Sequence, residues 1–184
     1  GRAPALFPNE YQPTWAVEGL ATYYESRFTN GGRVRGSFHT QVLAGAAAAA
    51  VARSPWNALL FSRWPGTVAP YAYGGRFFRY LADSLGDSVI PRFVESTAGQ
   101  AIPFQVGRPL ARATPGVALE EAWPRATRPA PWPGDSSGAA VLDRGLRTEP
   151  VPRVSPDGRL AAYVRDDGKG ARRVRVVTTA DWRP

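Results

Sequence analysis

The sequence predicts a mainly α-helical unit followed by a short β segment. Between residues 14 and 127, apolar side chains recur at helical spacing and are punctuated by glycine, proline and capping residues. Residues 128–138 contain three prolines and two glycines, a composition typical of a linker. After this stretch, two short runs alternate apolar and polar residues, a pattern typical of strands.

The first two helices are predicted over residues 14–28 and 37–53, with Thr14 and Ser37 as their candidate N-caps. Residues 30–32, Asn-Gly-Gly, tolerate positive φ and favour an end to the first helix. The second helix is rich in alanine, so its small side chains favour a close approach to a neighbouring helix.

Four further helical segments are predicted, at residues 71–85, 87–98, 104–113 and 117–127. Gly86 is the predicted end of the first of these, and Asp87 is the candidate cap of the next. Strands are predicted at residues 160–164 and 173–177, with a turn at 166–170 between them. Because two or three strands are only marginally stable alone, we expect them to open a larger β domain.

Composition excludes several kinds of site. The 184 residues include no cysteine, which rules out thiolate metal sites, and His39 is the only histidine, which rules out a site with two histidine ligands inside this chain. The net charge of +8 comes almost entirely from scattered arginines, so we interpret it as a compositional bias and expect no nucleic-acid partner. No apolar run is long enough for a transmembrane segment. Methionine is absent, and we expect the chain to begin inside a longer protein.

The most informative stretch is residues 15–25, Trp-Ala-Val-Glu-Gly-Leu-Ala-Thr-Tyr-Tyr-Glu. It resembles the third-ligand helix of the gluzincin zinc metallopeptidases, the peptidase MA-like and aminopeptidase-N-like family. The resemblance implies that Glu18 coordinates zinc and that Glu25, seven residues later on the same helix face, positions a ligand histidine by hydrogen bonding. Catalytic zinc has three protein ligands and an open position for water, whose pKa it lowers to about 7.

A second stretch supports the first. Residues 71–81, Tyr-Ala-Tyr-Gly-Gly-Arg-Phe-Phe-Arg-Tyr-Leu, resemble the gluzincin segment in which a tyrosine precedes glycine by three residues and opens a helix. The resemblance implies that Tyr71 donates a hydrogen bond to the oxyanion of the tetrahedral intermediate. Tyr73 is the competing candidate, because the register can also be read two residues later. The likeness extends over roughly residues 1–127.

The sequence departs from the family because it has no His-Glu-x-x-His motif. The family spacing puts the second histidine of that motif just before Gly1, so we expect truncation and not loss of the site. This chain would hold one zinc ligand of three and lack the general base, and we expect it to bind zinc weakly or not at all and to be inactive alone. His39 is a weak candidate for a substitute ligand; we expect it to be an exposed helix residue.

The C-terminal stretch has a separate signature. Residues 155–158, Ser-Pro-Asp-Gly, predict a tight turn entering a strand, with Ala161 and Tyr163 on one face of that strand. The stretch resembles the WD-like repeat of Tol-type β-propellers, although a propeller needs several blades. We therefore predict a partial peptidase-like helical domain at 1–127, a linker at 128–138 and an incomplete propeller repeat at 139–184.

Two functions follow from these patterns. The leading hypothesis is a fragment of a zinc-dependent metallopeptidase, acting on a peptide or protein substrate. The alternative is a non-catalytic scaffold or protein-binding module with a degenerate peptidase-like domain and a β-propeller. The resemblance implies a bacterial periplasmic or envelope location for either.

Overall fold

A computed structural model describes residues 12–59, 65–100, 105–129, 152–166 and 171–181. The chain divides into two compact units, Gly1–Pro133 and Gly134–Pro184. In the described ranges the first unit is helical and the second is a small antiparallel sheet, which confirms the prediction of a mainly α chain with a short β segment. No helix in these ranges has the length and apolarity needed to cross a membrane.

The described part of the first unit contains six α-helices: α1 (Thr14–Phe28), α2 (Ser37–Ala48), α3 (Ala69–Leu85), α4 (Val89–Ala98), α5 (Gly107–Ala113) and α6 (Leu119–Ala126). A 3₁₀ turn at Gly66–Val68 leads directly into α3. Every predicted helix is therefore present, although several ends differ from the prediction.

The predicted N-caps are wrong. The residues that flank the starts of α1, α2 and α4 are Pro13, Gly36 and Ser88, and none of them makes a side-chain capping bond. Thr14 and Ser37 are instead the first helical residues. The carboxylate of Asp87 does not cap α4, because it accepts hydrogen bonds from the Tyr23 hydroxyl at 3.2 Å and from Arg27 Nη2 at 2.6 Å.

Helix α2 ends at Ala48, five residues before the predicted end at Arg53. Val51 N donates to Ala46 O at 2.8 Å, Ala50 N donates to Ala47 O at 3.0 Å, and Ala50 has a φ of 53°. This pair of bonds around a left-handed residue is the Schellman arrangement, which usually places glycine where Ala50 stands. An alanine run gives no sequence signal for such an end, which is why the helix was predicted too long.

The core of the first unit lies between α1, α3 and α6. The indole of Trp15 is fully buried and makes edge-on contacts with Phe77 and Trp123, at ring-centroid distances of 5.4 and 4.7 Å. Phe78 then connects this cluster to Phe93 of α4 at 5.5 Å. These rings bury a large apolar area, so they supply much of the hydrophobic stabilisation of the helical unit. Helix α1 packs most extensively against α3.

The second unit contains β1 (Arg153–Val154), β2 (Leu160–Asp166) and β3 (Arg172–Thr178), in the antiparallel order β1-β2-β3. Leu160 is opposite Thr178 and Ala162 is opposite Val176, which fixes the register of the β2–β3 hairpin. Both predicted strands are present and slightly longer than predicted; the two-residue β1 was not predicted.

The turn at residues 155–158 has the predicted form. Gly158 N donates to Ser155 O at 2.8 Å, and Gly158 has a φ of 71°. The Asp157 carboxylate accepts from the Ser155 hydroxyl and from Arg159 N at 3.1 Å, which lowers the pKa of Asp157. Ala161 then points to the buried face of the sheet with 1% exposure.

Parts of the predicted organisation lie outside the described residues. The predicted linker 128–138 is described only at Arg128 and Pro129, and the predicted turn 166–170 only at the backbone of its first residue. The domain limits 1–127 and 139–184 therefore stay predictions.

Candidate functional site

Glu18 of α1 and Tyr71 of α3 are neighbours, and both are partly exposed. Burial raises the pKa of the Tyr71 hydroxyl, the nearby carboxylate of Glu18 raises it further, and the positive charge of Arg33 lowers it. A hydroxyl with a raised pKa keeps its proton at neutral pH, so it remains a hydrogen-bond donor. The structure therefore brings together the two residues that the sequence patterns singled out separately.

Two glycines explain why these side chains meet. A Cβ added to Gly74 would overlap the carbonyl oxygen of Trp15 and would lie 2.8 Å from Gly19 Cα. A Cβ added to Gly19 would likewise overlap the backbone of Gly74. Helices α1 and α3 are thus in backbone contact at this crossing. Because Glu18 is adjacent to Gly19 and Tyr71 lies one turn before Gly74, the crossing sets the spacing between their side chains.

The loop that follows α1 brings a third residue, the positively charged Arg33, to the same place. Val34 N donates to Ser26 Oγ at 3.0 Å, and Arg35 Nη2 donates to Thr29 O at 2.6 Å and to Ser26 O. These bonds fold residues 29–36 back over the end of the helix. Gly32, with a φ of 93°, allows the reversal; a Cβ there would overlap Ser26.

Folding the loop back places Arg33 over Tyr71. The guanidinium carbon of Arg33 lies 4.8 Å from the centroid of the Tyr71 ring, within cation–π range. Its Nε donates to Glu25 Oε2 at 2.8 Å. Glu25 therefore lies on the same side of α1 as Glu18, as predicted from their spacing, and is connected to Tyr71 through Arg33. Its proposed contact with a ligand histidine stays a prediction.

His39 of α2 is buried, with 6% exposure, so the expectation of an exposed helix histidine is wrong. Its pKa is lowered to about 4, first by burial and then by the charge of Arg33, with Glu25 acting in the opposite direction. The imidazole is therefore neutral near pH 7. Among the described residues, none forms a hydrogen bond with the Nδ1 atom of His39.

Tyr73 points to the opposite side of α3. It is 1% exposed, and its hydroxyl accepts a hydrogen bond from Arg53 N at 3.1 Å. Its ring stacks on Trp123 at 6.2 Å, and the indole Nε1 of Trp123 donates to Arg53 O at 2.8 Å. A cavity of about 550 Å³ lined by Tyr73, Trp123 and the half-exposed Trp56 lies on this side. Of the two candidate tyrosines, Tyr71 is thus the neighbour of Glu18.

The described side chains do not group into a set of metal ligands. Within the described residues no three His, Cys, Asp or Glu side chains are close enough together to hold a metal ion. A catalytic zinc site needs three protein ligands. Among the described residues Glu18 is therefore not part of a group of three such donors, and its role as a ligand stays a prediction. His39 is near enough to Glu25 and Arg33 for their charges to act on its pKa, and its role as a substitute ligand also stays a prediction.

Comparisons of the chain with protein-family models, with curated proteins and with solved structures found no match.

The sequence analysis missed Arg33 and misplaced His39. The helical spacing of His39, Val42, Leu43 and Ala46 already predicts that His39 shares the buried face of α2, because i, i+3, i+4 and i+7 positions share one stripe. Arg33 carried no comparable signal. Its position over Tyr71 depends on a loop reversal and on a contact between residues far apart in the chain.

Proposed function

We propose that this chain carries part of the active site of a zinc-dependent metallopeptidase of the gluzincin type, whose histidine ligands and general base lie upstream in the intact protein. Glu18 would supply the third metal ligand. Tyr71 would donate a hydrogen bond to the carbonyl oxygen of the peptide under attack. Glu25 would help to orient a ligand histidine. The substrate would be a peptide or a protein.

The observation that carries the proposal is the pairing of Glu18 with Tyr71 across the Gly19–Gly74 crossing. The two sequence motifs lie about fifty residues apart, and the resemblance of each implies one member of the same catalytic pair. A carboxylate and a protonated phenol held side by side suit a site that binds a cation and a polarised carbonyl oxygen. Backbone contact between the two helices suits the preorganisation that such a site requires.

The sheet of the second unit would be the opening of a β-propeller that follows the peptidase domain. Its support is the Ser-Pro-Asp-Gly turn, which is closed by the bond from Gly158 N to Ser155 O, and the antiparallel β1-β2-β3 order. The resemblance places such proteins in the bacterial periplasm or envelope.

The test is the zinc content of the intact protein after dialysis, measured by elemental analysis for the wild type and for Glu18→Gln. We expect near-stoichiometric zinc in the wild type and at least a tenfold loss of affinity in Glu18→Gln, because the amide removes a charged ligand. Glu95→Gln, at an exposed position of α4, is the matched control and should keep its zinc. Equal zinc content in Glu18→Gln and Glu95→Gln would refute the ligand assignment.

Tyr71→Phe separates catalysis from metal binding. It should keep zinc and lower kcat for peptide hydrolysis by about a hundredfold, the usual cost of losing one oxyanion donor. The alternative function, a non-catalytic scaffold, predicts instead a wild-type protein without zinc and an upstream sequence without His-Glu-x-x-His.

A further inference from the structure

Arg33 has hydrogen-bonding capacity left over beside the Glu18–Tyr71 pair. A guanidinium has five N–H donors, and the bond from Nε to Glu25 uses one of them. Among the described residues, Glu25 is the only hydrogen-bond partner of the Arg33 side chain. That side chain is 45% exposed, so the two Nη groups are within reach of a ligand.

The remaining contacts hold this guanidinium in place. The Tyr71 ring lies against the guanidinium, with the guanidinium carbon 4.8 Å from the ring centroid, and Glu25 fixes its Nε end at 2.8 Å. The two Nη groups form the opposite end of the planar fork, and this end pairs with carboxylates through two parallel hydrogen bonds. A fork that is already oriented loses little side-chain entropy when it binds.

We propose that Arg33 is a specificity-determining residue that binds a carboxylate of the substrate close to the bond that is cleaved. The proposal rests on the proposed peptidase function for the statement that the ligand is a peptide. A peptide carries two kinds of carboxylate, the side chain of Asp or Glu and the C-terminus. Arg33 lies against Tyr71, so either would be recognised within about one residue of the carbonyl group that Tyr71 contacts.

Nearby negative charges limit the affinity that we expect between Arg33 and a substrate carboxylate. Glu25 is bonded to Arg33 and Glu18 is a neighbour of Tyr71, so two carboxylates oppose the approach of a third. Affinity in the metal-free chain therefore depends on the geometry of the two Nη bonds more than on net charge. Weak binding is expected, and the informative quantity is the difference between ligands that differ only in a carboxylate.

The experiment is a nuclear magnetic resonance titration of the metal-free 184-residue chain with three probes. Acetyl-Phe-Ala-amide has no carboxylate, acetyl-Phe-Ala has a free C-terminus, and acetyl-Phe-Glu-amide has only a side-chain carboxylate. We expect at least one carboxylate probe to bind about tenfold more tightly than the amide probe and to shift the Arg33 Nε–H resonance. The preferred probe identifies which carboxylate the site recognises.

Variants assign the effect to Arg33. In Arg33→Met, the affinity for each carboxylate probe should fall to the affinity for the amide probe. Arg33→Lys should retain only part of the preference for a carboxylate, because lysine lacks the planar fork of N–H donors. Arg79→Met is the matched control, since Arg79 is 42% exposed and also pairs with a helix carboxylate, that of Asp83 at 3.1 Å. It should leave all three affinities unchanged.

Equal affinities of the three probes for the wild type, or no detectable binding of either carboxylate probe, would overturn the proposal. So would a preference that survives in Arg33→Met. If Arg33→Met does not fold, the same comparison in Arg33→Lys decides. Because no metal takes part, a failure here leaves the zinc test of Glu18→Gln unaffected, and a failure of the zinc test leaves this result standing.

Discussion

Replacing Gly74 with alanine perturbs the contact on which the candidate site depends. The added Cβ would overlap the carbonyl oxygen of Trp15 and lie 2.8 Å from Gly19 Cα. Both neighbours are backbone atoms of α1, so no side-chain rotation can relieve the overlap. The two helices must move apart, which also separates Glu18 from Tyr71.

Two opposing effects set the size of the change in the free energy of unfolding of Gly74→Ala. Overpacking of a filled interface costs about 1–3 kcal/mol, and a backbone-to-backbone overlap belongs at the upper end. Alanine regains about 1 kcal/mol because it is a better helix former than glycine. We therefore expect the free energy of unfolding of Gly74→Ala to fall by about 2 kcal/mol.

Urea unfolding followed by tryptophan fluorescence measures this change, because Trp15 and Trp123 lie in the core next to the crossing. The control is Gly107→Ala at the first residue of α5, where an added Cβ meets no atom within 4 Å. Because the added Cβ meets no atom and alanine is the better helix former, the control should keep its stability or gain up to about 1 kcal/mol. If the two variants unfold at the same urea concentration, the spacing of α1 and α3 is not set by the glycine contact.

Two further predictions concern buried polar groups. The pKa of His39 in the folded protein, about 4, lies below its unfolded value near 6.5, so the unfolded state binds the proton more readily between these values. Its contribution to stability is complete above pH 6.5 and is lost as the pH falls to 4, by about 3 kcal/mol. His39→Gln should reduce the difference between the urea unfolding free energies at pH 7 and pH 4 by that amount, and an unchanged difference would contradict the prediction. Tyr73→Phe removes the hydroxyl that accepts a hydrogen bond from the Arg53 backbone amide, and it should lower the free energy of unfolding by about 1–2 kcal/mol in thermal unfolding. Tyr80→Phe, at a partly exposed position, is the control and should have little effect. Equal losses of stability in the two variants would contradict this assignment.

Local features of the fold were predictable from the sequence. Helix positions followed from apolar spacing, and Gly86 ended α3 as predicted, with a φ of 86°. The turn at 155–158 followed from its residue types. These features depend on contacts within a few residues, which composition and spacing record directly.

Two other features were not predictable in the same way. The end of α2 at Ala48 uses an alanine where glycine is usual, so nothing in the run marks it. Asp87 has the residue type of a helix cap but pairs with Tyr23 and Arg27 of another helix. The second of these errors came from a tertiary contact that outweighed a local preference.

The candidate site was predictable in part. Glu18 and Tyr71 were each found from a motif, but their proximity depends on two glycines that lie more than fifty residues apart. The position of Arg33 requires the loop reversal at Gly32 as well. A pattern of residue types indicates which side chains can bind a ligand or take part in a reaction, and packing decides which of them lie close together.

The crossing of α1 and α3 lets thermal motion move the two helices apart but not closer together. Main-chain atoms already touch at Gly19 and Gly74, so the steep repulsion between them sets a lower limit to the separation of the helices. Fluctuations can widen the spacing of α1 and α3 at this point but cannot narrow it. The closest arrangement of the two helices is therefore their resting arrangement, and any ligand that requires a wider gap between them must work against the packed core behind the helices.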